Sequence, residues 1–273
     1  MSNSSFTYYE ASSMFHGSLT HIMGTRFDLV LIGKGRELSV SVWDRIIREL
    51  ERLGNMLNRF DPASEVSRIN QKACSGAVRV SDEMWKILLD CRRYHDRTAG
   101  LFDITLRDFS ALDLQPERQA ISFLHPELSL DLGGYAKGYA MKRLLEILKT
   151  CGAEHAFIDF GNSAIYGLGH HPYGNSWSVS IGNPYRHGEP VGEFALMNTA
   201  LSTSGNTPDY TGHIVNPLNG EKNTDQKMIC VECDDPLDAE VLTTAMMAAG
   251  SGQKEKMMKR FQVIQWKEFD LQH

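Results

Sequence analysis

Long basic runs, apolar stretches of bilayer length and a paired set of cysteines are all missing from this 273-residue sequence. Without the first, the electrostatic footprint that nucleic acid requires is gone: 28 Lys and Arg against 34 Asp and Glu leave a net charge of -6, and nucleic acid is not an expected ligand. Without the second, no membrane span is expected. The five cysteines, Cys74, Cys91, Cys151, Cys230 and Cys233, are odd in number and scattered, which is no disulfide framework and points to reduced thiols. Residues 1–11 are polar and Ser-rich and lack the basic, apolar and small-residue succession of an export signal, so a cytoplasmic location is expected. Internal repeats and long linkers are absent too. What remains is ordinary globular composition, 42% hydrophobic and 23% charged, enough to bury a core in one large domain or two small ones.

Leu38, Val42, Ile46, Leu50, Leu53 and Leu57 recur three or four apart, which predicts an amphipathic helix over 37–57. Alternation over 14–32 on either side of Met23-Gly24-Thr25 predicts two strands, or one strand bent at the glycine. Ser81, followed by Asp82 and Glu83, caps a second helix whose face carries Met84, Leu88, Cys91 and His95, and Gly100 closes the connection after it. A short strand over 128–132 runs into Gly133-Gly134 and a helix with Ala140, Leu144, Ile147 and Cys151 on one side, stopped at Gly152. Strands follow at 156–160, 163–168, 177–181, 192–197, 200–203 and 228–233. Asp235 and Pro236 open a last helix that runs to about Ala249. Helices and strands in this uneven order argue for an α+β fold with mixed or antiparallel sheets in two subregions, not an alternating parallel sheet.

The most informative stretch is Asp131-Leu132-Gly133-Gly134-Tyr135-Ala136-Lys137-Gly138. Glycines let a phosphate approach the backbone where first-turn amides are unpaired, and Lys137 adds a full positive charge there. A diphosphate suits this arrangement, yet Asp131 would repel one unless its carboxylate takes a ribityl or sugar hydroxyl, or a cation intervenes. The same residues also serve as a plain strand-to-helix turn. Glu240 and Thr244, four apart on the helix opened by Pro236, present two hard oxygens to one side, a pairing that suits magnesium and that ordinary polar helix faces also carry.

Ala200-Leu201-Ser202-Thr203-Ser204-Gly205 and His213-Ile214-Val215-Asn216-Pro217 bring small hydroxyls and a histidine to neighbouring strand ends. Ser204 can hold a phosphate oxygen there, and His213 can take a proton from an incoming hydroxyl, although a lone histidine is more often a structural hydrogen-bonding residue. After Phe60-Asp61, Ser64 caps a short polar helix over 64–70. Phe102 and Asp103 offer an aromatic face and a carboxylate to a flat ring, and a phenylalanine in this setting is also ordinary core. Cys230-Val231-Glu232-Cys233 has the spacing of a redox or zinc pair, but strand residues three apart face opposite ways and no second pair exists. His170-His171 has no third ligand near it and reads as an exposed loop.

In their order along the chain, Met23-Gly24-Thr25, residues 64–70, 102–105 and 131–138, Gly161-Asn162, residues 202–205 and 213–217, and the Glu240/Thr244 helix closely resemble the ApbE-type FAD:protein FMN transferases, formerly described as thiamine-biosynthesis lipoproteins. The likeness runs from His21 to Gly250. It implies a mixed α+β fold that binds FAD in a cleft between two subregions, delivers FMN to a Thr or Ser hydroxyl of a target redox protein and releases AMP. It also implies flavin contacts from Met23, Phe60, Phe102, Asp103, Asp131 and Lys137. Magnesium would be held by the Gly134 carbonyl, Glu240 and Thr244, with catalytic parts for His213, Asp131 and Lys137.

One flavin transferase domain over 14–250 is expected, with 251–273 as a helix and strand extension of it. The expected partners are FAD and an acceptor protein, with room for a homodimer. Three features depart from the family pattern: Glu240 stands where aspartate is usual, Phe60 where tyrosine is frequent, and the export signal of many relatives is not seen. Two other readings use the same site, a magnesium-dependent FAD pyrophosphatase giving FMN and AMP, and an FAD-binding protein without turnover.

Overall fold

A computed structural model describes residues 3–271. Strand β1 (Asn3–Tyr9) leads through a single 3-10 turn into β2 (Met14–Ile22) and β3 (Thr25–Ile32). The alternating segment is thus two strands, reversed at Met23 and Gly24, whose φ angles are 46° and 80°. Glycine meets the left-handed requirement of that turn without a Cβ penalty. Helix α1 (Arg36–Leu57) buries Val42, Ile46, Leu50, Leu53 and Leu57. Leu38, expected on the same stripe, is instead 44% exposed, because Ser39 takes the inward position of the first turn. Helix α2 (Glu65–Lys72) is capped by Ser64 Oγ, which accepts from the Ser67 amide at 3.0 Å.

Strand β4 (Val78–Arg79) is followed by helix α3 (Asp82–Arg97), where Ser81 accepts from the Met84 amide. Strands β5 (Leu112–Gln115) and β6 (Ala120–Phe123) then complete a small antiparallel sheet of order β4-β6-β5. Beyond it lie α4 (Gly133–Thr150), β7 (His155–Phe160), β8 (Ala164–Leu168), β9 (Trp177–Asn183), β10 (Arg186–Leu196), β11 (Thr199–Gly205) and β12 (Lys227–Cys233). The last elements are α5 (Pro236–Ala248), α6 (Ser251–Met258) and β13 (Val263–Asp270).

The large sheet has eight antiparallel strands in the order β1-β2-β3-β7-β8-β11-β12-β13. Its two faces are served by alternate residues, as strand geometry dictates. On one face Phe27, Leu29, Ile158, Ala200 and Val231 join α1, α4 and α5 in a core that also takes in residues of α2, α3 and the small sheet. On the other, Ile165, Leu201 and Cys230 meet Trp177, Val179, Phe194 and Leu196 of the β9–β10 hairpin. Cys230 and Cys233 fall in different cores, so they are no ligand pair, and burial raises both thiol pKa values, Cys230 to about 12. The fold is the expected α+β type, with antiparallel sheets and six α-helices among the described residues.

Residues 128–132, expected as a strand, form no ladder; they are irregular chain leading into α4. Their backbone groups are satisfied elsewhere, which is why no sheet is needed. Asn70 Nδ2 donates to the Leu130 carbonyl at 3.0 Å, the Leu130 amide donates to Asn70 Oδ1 at 2.7 Å, and the Asp131 amide donates to the Ile104 carbonyl at 2.6 Å. His170 and His171 lie in an exposed loop, and no group of three or more His, Cys, Asp or Glu that could hold a metal occurs among the described residues. Nor is any described helix long and apolar enough to cross a membrane.

Candidate active site

Helices α4 and α5 approach closely because α4 presents glycine at the contact. A Cβ built on Gly138 would lie 2.8 Å from Glu240 Cβ and 2.9 Å from both Leu237 Cα and the Pro236 carbonyl oxygen. One on Gly134 would lie 2.9 Å from Thr244 Oγ1. Side-chain-free positions four apart on one helix face are what such an approach needs. It brings Gly134, Glu240 and Thr244 together from distant parts of the chain.

Glu240 is 4% exposed, and a carboxylate buried to that degree has to be paired. Lys137 Nζ, one turn beyond Gly133, lies 2.5 Å from its Oε1, and Ser202 Oγ donates to its Oε2 at 3.0 Å. Ser202 also meets Thr243 Oγ1 at 3.1 Å, and the Thr244 hydroxyl donates to the Glu240 carbonyl at 3.1 Å. The result is a pocket of hard oxygens with a single ammonium group against it.

In front of Lys137 opens a cleft of about 600 Å³. One wall is the β2–β3 turn with Met23 and Gly24; a second is the end of α1 with Arg59 and Phe60 after it; the floor is Asp131 to Gly133, Ala136 and Lys137. Phe60 is 81% exposed, a large apolar ring standing in solvent, with the Arg59 guanidinium 4.7 Å from its centroid. Asp131 Oδ1 accepts from the Gly133 amide at 2.8 Å, and its Oδ2 lies 3.2 Å from Arg59 Nη1. The cation that offsets the Asp131 charge is therefore an arginine of the chain itself.

Of the residues expected at the flavin, Met23, Phe60, Asp131 and Lys137 line this cleft. Phe102 and Asp103 stand behind it. Phe102 is 3% exposed and packs edge-on to Tyr94, and Asp103 Oδ1 accepts from the Thr105 amide and hydroxyl at 2.7 Å each. The next residue, Ile104, accepts from the Asp131 amide through its carbonyl, so this segment supports the floor of the cleft. Ser204 is half-buried on β11, two residues along from Ser202 and thus on the same face of the sheet, toward α5.

His213 comes from the loop over 206–226. Asn216 Nδ2 donates to the Ala248 carbonyl at 3.0 Å and Asn223 Nδ2 to the Met247 carbonyl at 2.7 Å, so the loop is seated on the last, otherwise unpaired carbonyls of α5. The His213 ring stacks on Tyr210 with centroids 4.1 Å apart. Its Nδ1 is the one buried side-chain polar atom among the described residues that lacks a hydrogen-bond partner. Burial lowers its pKa below the ordinary 6.5, a backbone hydrogen bond at Tyr210 opposes the shift, and the Lys137 charge adds to it. A neutral imidazole with a ring nitrogen that has no hydrogen-bond partner is equipped to accept a proton.

Residues 23–112 and 106–265 match the sequence profile described as the ApbE family. The chain belongs to that family. It is 26% identical over 227 residues to a protein named FAD:protein FMN transferase from Chlamydia muridarum, covering 68% of this chain and 69% of that one. A protein of the same name from Vibrio cholerae is 24% identical over 267 residues, covering 84% and 79%. Among solved structures, the flavin transferase ApbE from Vibrio cholerae superposes with a TM-score of 0.79 at 20% identity, over 98% of this chain and 97% of that one. The ApbE protein from Thermotoga maritima gives 0.76 at 19% identity, over 92% and 90%. The ApbE fold therefore extends over nearly the whole chain, helices and antiparallel sheets included.

Three residues at the site escaped sequence reasoning. Arg59 sits beside Phe60 in Asn58-Arg59-Phe60-Asp61, a signal that was available. Ser202 was hidden among the hydroxyls that include Ser204, and its parity with the buried face of β11 singles it out. Asn70 closes the 64–70 stretch, and nothing local in the sequence ties it to Leu130, 60 residues away.

Proposed function

We propose that this ApbE-family chain transfers FMN from FAD to a Thr or Ser hydroxyl of an acceptor redox protein and releases AMP, with residues 14–250 as the transferase unit and 251–273 as its extension. The observation that supports the reading is the convergence of Gly134, Lys137, Glu240 and Thr244 where α4 meets α5, with Lys137 and the start of α4 also lining a cleft of about 600 Å³. The donor set fits a magnesium ion, since a buried carboxylate and hydroxyls are hard oxygens and leave room for carbonyl, water and phosphate ligands. Glu240, Thr244 and the Gly134 carbonyl would hold it, and when bound it would supply positive charge to the diphosphate.

The chain's own residues would do the rest. Met23 and Phe60 would contact the flavin nucleotide with their apolar surfaces, and Ser204 a phosphate oxygen. Lys137 would turn from Glu240 to the diphosphate as negative charge develops on it. The acceptor oxygen would then form a bond to the FMN phosphorus while the anhydride P–O bond breaks, AMP leaving with the electron pair and the hydroxyl proton passing to the His213 imidazole.

The test is incubation of the purified protein with FAD, magnesium and a threonine-containing target-motif peptide, followed by mass spectrometry. Flavinylated peptide plus AMP is the expected result. FMN plus AMP with unmodified peptide would instead identify a pyrophosphatase, and FAD bound but unchanged a carrier.

A further inference from the structure

Two cations, Lys137 and Arg59, line the cleft; Arg59 rests against Asp131 of the same lining and Lys137 against the buried Glu240. Lys137 has a ready part in the proposed reaction. Arg59 has none so far, although it is placed at least as well for an anion. Its Nη1 lies 3.2 Å from Asp131 Oδ2, and the other oxygen of that carboxylate takes the Gly133 amide at 2.8 Å, the first residue of α4. Arg59 is thus parked, through Asp131, at the helix end where a phosphate would sit, and Lys137 approaches the same end from one turn further along. Both line the same cleft.

We infer that Arg59 reads the diphosphate of FAD: it leaves Asp131 for phosphate oxygens when the nucleotide binds, and so makes the site select flavin dinucleotide over riboflavin. This rests on the flavin-nucleotide reading above. Three observations favour the exchange. The guanidinium is 38% exposed and its carboxylate partner 23%, so the resting pair is solvent-screened and weak. A diphosphate carries more charge than a carboxylate and offers paired oxygens that match the planar fork of arginine. The Phe60 ring, 4.7 Å from the guanidinium, backs it on one side and limits how far it swings. Asp131, released, would be free for a hydroxyl of the ligand, which removes the repulsion its charge otherwise poses.

Flavin-fluorescence titrations in EDTA test this without metal or turnover, with riboflavin, FMN and FAD each added to the parent protein, Arg59→Met and Arg59→Lys. Arg59→Met is expected to bind FAD about tenfold or more weakly, FMN less affected and riboflavin within about twofold of the parent. Arg59→Lys keeps the charge and loses the fork, and is expected to fall between. Thermal melts of both variants report folding, and if Arg59→Met does not fold the lysine variant carries the comparison. An equal loss for all three ligands would overturn the inference, because Arg59 would then act through Phe60 or the fold. So would no loss at all. A parent protein that binds no FAD either in EDTA or with magnesium added would instead remove the functional reading on which the inference rests.

Discussion

Replacing Gly138 by alanine should separate α4 from α5. The new Cβ would stand 2.8 Å from Glu240 Cβ and 2.9 Å from Leu237 Cα and from the Pro236 carbonyl oxygen, where carbon atoms normally rest about 3.5–4.0 Å apart. Two of the three neighbours are backbone, so no rotamer change relieves the overlap, and α5 has to retreat by roughly 0.7 Å. Overpacking of this kind costs about 1–3 kcal/mol. Alanine recovers about 0.5–1 kcal/mol over glycine inside a helix, leaving a net loss of about 1–2 kcal/mol, or roughly 2–4 °C in Tm for a chain of this size. The retreat also carries Glu240 away from Lys137 and Gly134, so magnesium binding should weaken by more than the loss of stability alone explains. Calorimetry and magnesium titration of Gly138→Ala beside Gly252→Ala give the comparison, since a Cβ on Gly252 of α6 meets nothing within 4 Å. If Gly138→Ala melts with Gly252→Ala and binds magnesium like the parent, the close-approach argument is wrong.

Lys137→Met leaves the Glu240 side chain, 5% exposed, without its ammonium partner, a loss of about 3–5 kcal/mol. Magnesium should restore much of that stability while turnover stays lost, and melting curves that ignore the ion would count against Glu240 as a ligand. Because burial first and Lys137 second lower the His213 pKa, the base form persists to lower pH, and the acid limb of turnover should lie below 6.5. His213→Asn should remove that limb and about 10²–10⁴ of the rate; a limb at or above 6.5 would contradict the assignment. Asn70→Ala removes both hydrogen bonds to Leu130, costing about 1–3 kcal/mol. Fluorescence titration of that variant should show FAD affinity down severalfold, and unchanged affinity would mean that the Asp131 segment holds its shape unaided.

Periodicity and capping residues make most of the fold legible in the sequence. Helices α1 and α3 and strands β7 and β9 carry clear 3.6- or 2-residue patterns, whereas α5, buried nearly all round, is marked by Asp235 and Pro236 at its start, and Ser81 marks the start of α3. Elements short of such signals were lost. Strand β1 has a burial pattern that is nearly all exposed, β4 has two residues, and residues 128–132 look like a strand because Leu128, Leu130 and Leu132 alternate inward. Alternation reports burial, and at 128–132 the backbone partners are Asn70 and Ile104 in place of a neighbouring strand. At the site, glycine spacing and charge type pointed to Gly134, Lys137, Glu240 and Thr244. Phe102 shows the limit: composition cannot say whether an aromatic ring faces ligand or core, and this one packs on Tyr94.

The proposed chemistry depends on one place, the junction of the α4 N-terminus with the Glu240 face of α5. Crystals grown with FAD and manganese in place of magnesium, measured at the manganese absorption edge, test it most directly. The predicted result is an anomalous peak within bonding distance of the Glu240 carboxylate and the Thr244 hydroxyl, with the FAD diphosphate against it and Lys137 turned toward the phosphates. FAD bound in the cleft with no peak at that junction, or with Lys137 still on Glu240, would contradict it.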